Sequence, residues 1–214
     1  MIIDERYTAY INSLDRGNSD IVRTIEQEAI KGHVPVIRRE IGSLLKVLLR
    51  MVKPKRVLEV GTAIGFSSIL MSECLEPGSI ITTIENYGKR IPVARENFRR
   101  AGKETVITLL EGDAREVMKG LEPYYDFIFM DAAKGQYIHF LPEVMRLLSV
   151  GGTLVSDNVL QDGDVIESRY AVTRRDRTIH SRMRQYLWEL KHMDALETVV
   201  LPIGDGVTIS TRLK

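Results

Sequence analysis

From Val57 onward the chain alternates short, unbroken apolar runs with longer stretches of helical spacing. Val57–Val60, Ile80–Ile84, Val106–Leu110, Asp126–Met130 and Gly152–Ser156 read as strands. Between them, Phe66–Leu75, Lys89–Ala101, Ala114–Gly120 and Ile138–Leu148 read as helices. Strands without polar alternation, each followed by a helix, predict a parallel sheet covered on both faces. A long helix is predicted between Thr173 and His192. The last two strands, Leu196–Pro202 and Val207–Arg212, are separated only by Ile203-Gly204-Asp205-Gly206. That link is too short for a crossover helix, so the pair should be an antiparallel hairpin. Before Val57 the pattern is helical. Ile21, Ile25 and Ile30 follow Asn18-Ser19-Asp20, a cap region, and Gly32 and Pro35 end that helix. A second run covers Ile41 to Val52. The fold class expected is therefore α/β: a doubly wound, mostly parallel, seven-stranded sheet, Rossmann-like, with a C-terminal antiparallel hairpin and extra N-terminal helices.

Composition changes this picture little. The 214 residues suit one domain, with helices over 1–55 and a core over 56–214. Thirty basic residues against 29 acidic ones give a net charge of +1, which argues against a generic polyanion binder such as a DNA-coating protein. The single cysteine, Cys74, forms no internal disulfide and suits a cytoplasmic location. The first fifteen residues lack a leader's apolar stretch, and no window is apolar enough to span a membrane.

The candidate chemistry sits at strand ends, where open α/β sheets bind ligands. Glu59-Val60-Gly61-Thr62-Ala63-Ile64-Gly65 joins the first strand to its helix, and its glycines let backbone approach a ligand. The phosphate fingerprints G-x-G-x-x-G and G-x-x-x-x-G-K are absent there, and Glu59 would repel a pyrophosphate. Glu85 ends the second strand, where an acid takes ribose hydroxyls, and Asp113 follows the third, where an acid could meet an adenine amino group. Together they suit a cationic adenosine, S-adenosylmethionine; read alone, the glycines signal only tight packing. Asp131 ends strand four and Asp157-Asn158 ends strand five. Two carboxylates and an amide form a hard, all-oxygen site suited to Mg²⁺, Ca²⁺ or Mn²⁺; taken singly, the same residues read as a helix cap and a turn. Lys134, three residues after Asp131, reads either as a base tuned by a nearby metal or as a solvated loop lysine.

Glu59-Val60-Gly61-Thr62-Ala63-Ile64-Gly65-Phe66-Ser67, Asp131-Ala132-Ala133-Lys134, Asp157-Asn158-Val159 and Gly204-Asp205-Gly206 together resemble the cation-dependent O-methyltransferases, which include catechol and caffeoyl-coenzyme-A methyltransferases. The resemblance runs from about residue 33 to the end. It implies that Asp131, Asp157 and Asn158 hold the metal and that Lys134 is the base. It further implies that Ile37, Glu59, Gly61, Ser67, Glu85, Asp113, Ala114 and Asp131 line the S-adenosylmethionine site, and that the protein is a homodimer. Within the family, the bacterial branch acting on 5-hydroxyuridine in the tRNA anticodon is most similar. That branch shares His33-Val34-Pro35, Asp131-Ala132-Ala133-Lys134-Gly135-Gln136-Tyr137 and Asp157-Asn158-Val159-Leu160. The small pair Ala132-Ala133 stands where animal catechol enzymes carry His-Trp, and it leaves room for a nucleotide. Catechol and 5-hydroxyuridine both offer two neighbouring oxygens, so the metal site alone accommodates either.

Charge distribution bears on that choice. Arg38–Arg56 holds seven basic residues against Glu40, and Arg169–His192 holds seven against Asp176 and Glu189. Both stretches read as phosphate-binding surfaces for RNA or, alternatively, as ordinary solvated helix faces. Tyr170 is a candidate for stacking on a base, whereas Tyr186 and Trp188 read as helix core. Met51, Met71, Met118, Met130 and Met145 read as core filler, and Cys74 as buried. A non-catalytic nucleotide-binding protein on the same fold is the remaining alternative.

Overall fold

The computed structural model describes residues 3–214; the part of the leader expectation that concerns residues 1–2 lies outside them. Three helices open the chain: α1 (Glu5–Ser13), α2 (Asp20–Lys31) and α3 (Arg39–Val52). The predicted cap is in place, with the Ser19 hydroxyl accepting the Val22 N–H at the start of α2. There follow β1 (Arg56–Val60), α4 (Phe66–Ser72), β2 (Ile80–Glu85), α5 (Ile91–Arg100), β3 (Ile107–Glu111), α6 (Ala114–Lys119) and β4 (Tyr125–Met130). The remainder is α7 (Tyr137–Leu147), β5 (Leu148–Ser156), α8 (Arg177–His192), β6 (Leu196–Leu201) and β7 (Val207–Arg212). Two short 3-10 turns, Lys134–Gln136 and Gln161–Ile166, follow β4 and β5.

The seven strands form one sheet in the order β3-β2-β1-β4-β5-β7-β6. The pairs among β1 to β5 are parallel, and β7 runs antiparallel to both β5 and β6. This is the predicted doubly wound sheet closed by a hairpin. Alternate residues of each strand feed opposite cores, because successive side chains point to opposite faces. Val57, Ile81, Phe127, Phe129 and Val155 pack against α2, α3, α4 and α5 through Ile25, Ile41, Leu45, Leu49, Ile69 and Phe98. Leu58, Val60, Ile84, Ile128, Met130 and Leu154 pack against α6, α7 and α8 through Met118, Phe140, Val144, Met183, Tyr186 and Leu190. Both faces are dry, which is why the strands read as unbroken apolar runs.

Some local expectations need correction. β5 begins at Leu148 and not at Gly152, because the chain leaves α7 directly into extended backbone with a register irregularity between Tyr125 and Phe127 on β4. α8 starts at Arg177, four residues later than predicted. Met51 (73% exposed) and Trp188 (57%) are not core residues: each lies on the outer side of its helix, and Trp188 stacks on His192 one turn away, with ring centroids 4.3 Å apart. Ile30 is likewise exposed, since the buried stripe of α2 is Val22, Ile25, Glu26 and Ala29. Met71, Met118, Met130 and Cys74 are buried as read.

Candidate active site

The winding of the sheet reverses between β1 and β4: from β1 the chain steps outward through β2 and β3, and from β4 through β5. Ligand crevices form at such switch points. The strand tips here stay laced together by backbone bonds past the last strand residue. Gly61 N–H donates to the Ile84 carbonyl (3.1 Å), Asp131 N–H to Val60 (3.0 Å), Asp157 N–H to Met130 (2.9 Å) and Gly112 N–H to Glu85 (2.9 Å). A cavity of about 770 Å³ opens above these tips. Its wall includes Ile37, Arg38, Gly61, Ser67, Glu85, Asp113, Ala114, Asp131, Asp157, Asn158 and Asp205.

The close approach of backbone at Gly61 is a requirement of the fold. Its φ of 108° lies outside the range L side chains favour, and a side chain there would collide with the Asp131 carbonyl. The turn after β1 therefore lies flat against the residue after β4.

The two carboxylates expected to meet the nucleoside behave differently. Glu85 is held by three backbone N–H groups: Ala63 on Oε2 (2.8 Å), and Asn86 (2.9 Å) and Tyr87 (2.8 Å) on Oε1. Asp113 caps α6, with Oδ1 accepting the Arg115 N–H at 2.9 Å, and it borders the cavity.

Glu59 departs from the expectation that it faces the cavity. It is fully buried and forms no part of the cavity wall. The hydroxyls of Ser67 and Ser68 donate to its two oxygens, and Thr83 donates to Oε2 at 2.6 Å. With its proton committed to Glu59, Thr83 must accept from Thr62, 2.6 Å away. Burial pushes the Glu59 carboxyl above its usual range, and the three hydroxyls pull it back down. Its reach toward any ligand runs through Ser67, which does border the cavity.

Asp131, Asp157 and Asn158 all border the cavity. Asp157 is 1% exposed, and burial, reinforced by the charge of Asp131, raises its carboxyl to about 7. Burial and the charge of Glu59 raise Asp131 to about 6, against a smaller opposing pull from Lys134. Asn158 takes a left-handed backbone (φ 59°), a conformation asparagine tolerates, and its N–H donates to Asp157 Oδ1 at 2.7 Å. Among the described residues no group of three or more His, Cys, Asp or Glu side chains could hold a metal ion; the set here is two carboxylates and one amide.

Lys134 sits half-buried at the start of its 3-10 turn and does not border the cavity. Its charge is felt at Asp131, Asp162 and Asp205.

Two groups at the site escaped the sequence reading. The Tyr137 hydroxyl accepts the Ala132 N–H (3.2 Å) and lies within reach of the carbonyls of Met130 (3.2 Å) and Asp157 (3.1 Å). Burial and the two nearby aspartates push its phenol well up, so it remains a neutral donor. It pins the ends of β4 and β5 together, and in sequence it is indistinguishable from a core aromatic opening a helix. Arg38 forms an ion pair with Asp205 and a longer one with Asp162 (3.4 Å), joining the segment before α3 to the β6–β7 turn across the cavity rim. No local pattern links positions so far apart in the chain.

Much of the basic charge counted in sequence is consumed internally. Arg39 pairs with Glu26 (3.0 Å), Lys53 with Glu76 (3.6 Å), and Arg56 lies over the Tyr125 ring (4.7 Å). Arg182, Arg184 and Lys191 donate to backbone carbonyls. Arg169, Arg174 and Arg175 remain exposed, as does Tyr170 (83%), whose ring lies 5.7 Å from the Arg177 guanidinium.

A family profile described as O-methyltransferase matches residues 14–213. The chain belongs to the O-methyltransferase family. Caffeoyl-CoA O-methyltransferase 2 of Populus trichocarpa is 32% identical over 187 residues, covering 81% of this chain and 73% of that protein. A crystal structure from Staphylococcus aureus, provisionally described as a caffeoyl-CoA O-methyltransferase, is 31% identical. It superposes with a TM-score of 0.89, covering 98% of this chain and all of that one. The Podospora anserina methyltransferase PaMTH1, solved with S-adenosylhomocysteine bound, is 27% identical with a TM-score of 0.87, covering 98% and 95% of the two chains. The expected O-methyltransferase family, of the caffeoyl-CoA type, is thus borne out. Among the described residues no helix of this O-methyltransferase is long and apolar enough to cross a membrane.

Proposed function

We propose that this O-methyltransferase moves a methyl group from S-adenosylmethionine to a hydroxyl that has a second oxygen beside it, with a divalent cation, Mg²⁺, held by Asp131, Asp157 and Asn158. One observation carries the reading. One cavity is bordered by Glu85 and Asp113 at the tips of β2 and β3 and by Asp131, the buried Asp157 and Asn158 at the tips of β4 and β5. Two carboxylates whose charged forms are disfavoured, Asp157 by burial and the charge of Asp131 and Asp131 by burial and the charge of Glu59, form with the amide a donor set matched to a hard cation. A cavity of this size suits a nucleoside-sized ligand.

Each residue then has a task. Glu85, with its geometry fixed by three N–H groups, presents its remaining lone pairs to ribose hydroxyls. Asp113 offers its second oxygen to the adenine amino group, while Ile37, Gly61, Ser67 and Ala114 shape the walls. The anionic side of Asp131 favours a sulfonium nearby. Asp131, Asp157 and Asn158 would hold the divalent cation, which when bound would lower the pKa of the acceptor hydroxyl. Lys134 takes the hydroxyl proton as the C–O bond forms and the S–CH₃ bond breaks.

For the acceptor, the proposed substrate is 5-hydroxyuridine at the tRNA wobble position, giving 5-methoxyuridine. The small Ala132-Ala133 pair beside the cavity and the exposed Arg169, Tyr170, Arg174 and Arg175 support it. The second reading, a small catechol or caffeoyl-CoA-like acceptor, is supported by the names of the plant relatives. A homodimer is proposed as well, with the exposed Tyr7, Tyr10, Ile11 and Leu14 around α1 as the face to be covered. A labelled-methyl assay tests the function: bulk tRNA containing hydroxyuridine, free catechol and caffeoyl-CoA are each compared with and without chelator. Chelator-sensitive labelling of tRNA is expected. Labelling of the small acceptors alone would replace the substrate, and labelling indifferent to chelator would remove the metal.

A further inference from the structure

The loops that carry the candidate base and the candidate metal ligands rest on the same helix. Within little more than one turn of α8, His180 places Nε2 3.1 Å from the Glu167 carbonyl, Arg182 donates to the Gly135 carbonyl at 3.1 Å, and Arg184 donates to the Val165 carbonyl at 3.2 Å. Glu167 and Val165 lie in the loop that follows Asp157-Asn158, and Gly135 lies in the turn that begins with Lys134. The turn packs against α8: a methyl group at Gly135 would stand in ordinary contact with the Ile179 side chain (3.4 Å) and the Arg182 guanidinium (3.9 Å). A three-residue 3-10 turn has little hydrogen bonding of its own to hold it. Here it has the bond from Gln136 N–H to the Ala133 carbonyl (2.8 Å) and the one from Arg182. A charged donor to a carbonyl is the stronger kind of hydrogen bond.

We propose that Arg182 is a positioning residue for methyl transfer, holding the Lys134–Gln136 turn so that the Lys134 amine stays within reach of the acceptor hydroxyl near Asp131. The proposal rests on the role given to Lys134 under the proposed function. Arg182 itself does not border the cavity and touches no reacting atom. Its effect comes through geometry, since a misplacement of about 1 Å in a catalytic group can cost about a hundredfold in rate. It also gives this arginine a task different from phosphate binding, since its guanidinium is spent on the protein's own backbone.

Arg182→Met, Arg182→Lys and Lys134→Met, together with the double variant Lys134→Met/Arg182→Met, test the proposal. Hydrogen exchange of the free protein gives the first readout: Arg182→Met should speed exchange at Gly135 and Gln136 about tenfold, with α8 itself unchanged. Calorimetric titration with S-adenosylhomocysteine should give the wild-type affinity. In the loaded enzyme, kcat should fall at least about tenfold with KM for the donor unchanged, and Arg182→Lys, still able to donate to Gly135, should recover most of it. In the Lys134→Met background, Arg182→Met should cost nothing further, as expected for residues acting as a unit. Wild-type exchange and kcat in Arg182→Met, beside an inactive Lys134→Met, would overturn the proposal alone. A parallel loss of donor affinity and of protection throughout α8 would overturn it in favour of general structural support. Full activity in Lys134→Met would overturn both the base assignment and the role of Arg182.

Discussion

Asp157 carries a large electrostatic burden at the site. Its carboxyl sits near 7 because burial and Asp131 disfavour the charge. Between its unfolded value near 4 and its folded value, the native state holds a proton that the unfolded chain has released. Stability therefore falls as pH rises across that window, and the penalty is complete above about 7. A shift of this size corresponds to an upper bound on the order of 4 kcal/mol. Asp131, raised to about 6, acts in the same direction. In thermal melts with chelator present, Asp157→Asn should be more stable than wild type at pH 8, and the two should converge toward pH 4. Magnesium at pH 8 should raise the wild-type Tm and leave the variant's unchanged. A variant less stable than wild type at pH 8 would mean that Asp157 is already compensated by the protein itself. Glu59 shows where sequence reading stops at this scale. Its place at the end of β1 was legible, but which way its side chain turned depended on three hydroxyls, from Ser67, Ser68 and Thr83, that converge only in the folded sheet.

At the scale of elements, the site is a set of strand tips joined edge to edge, and the turn after β1 is its tightest point. Gly61→Ala combines an unfavourable φ with a collision against the Asp131 backbone, which cannot move without shifting β4. It should cost about 1–3 kcal/mol in a denaturant titration, and donor affinity should fall with it. Retained affinity and stability would show that the β1 and β4 tips are not in contact in solution. The strands were legible because both faces of the sheet are buried, so apolar runs such as Phe127-Ile128-Phe129-Met130 could have few other meanings. The hairpin was legible from the short Ile203–Gly206 link. The 3-10 turns after β4 and β5 were not, because their shape is imposed by contacts from α8 and from Arg38, which are distant in sequence. The start of β5 was missed because Ser149-Val150-Gly151 carries no strand pattern of its own: the register with β4 jumps from Leu148 to Thr153 across it, and Gly151 takes a positive φ of 80°.

For the whole molecule, the two halves of the sheet meet at β1 and β4, and the chain places Glu85 and Asp113, the proposed nucleoside-binding edge, on one half and Asp131, Asp157 and Asn158 on the other. The near-neutral charge balance conceals this division. Net charge says nothing of which arginines end in ion pairs, such as Arg38 and Arg39, and which stay exposed, such as Arg169, Arg174 and Arg175. The family, the sheet and the residues converging on the cavity were readable from motifs at strand ends, whereas the fastenings that hold those motifs in place belong to the tertiary structure. The central claim is that one divalent cation is gripped by Asp131, Asp157 and Asn158. Calorimetric titration of the metal-free protein with Mn²⁺, in the presence of S-adenosylhomocysteine, tests it most directly. The account predicts one site per chain in the wild type, lost in Asp157→Asn while S-adenosylhomocysteine still binds; equal Mn²⁺ binding by both proteins, or by neither, would contradict it.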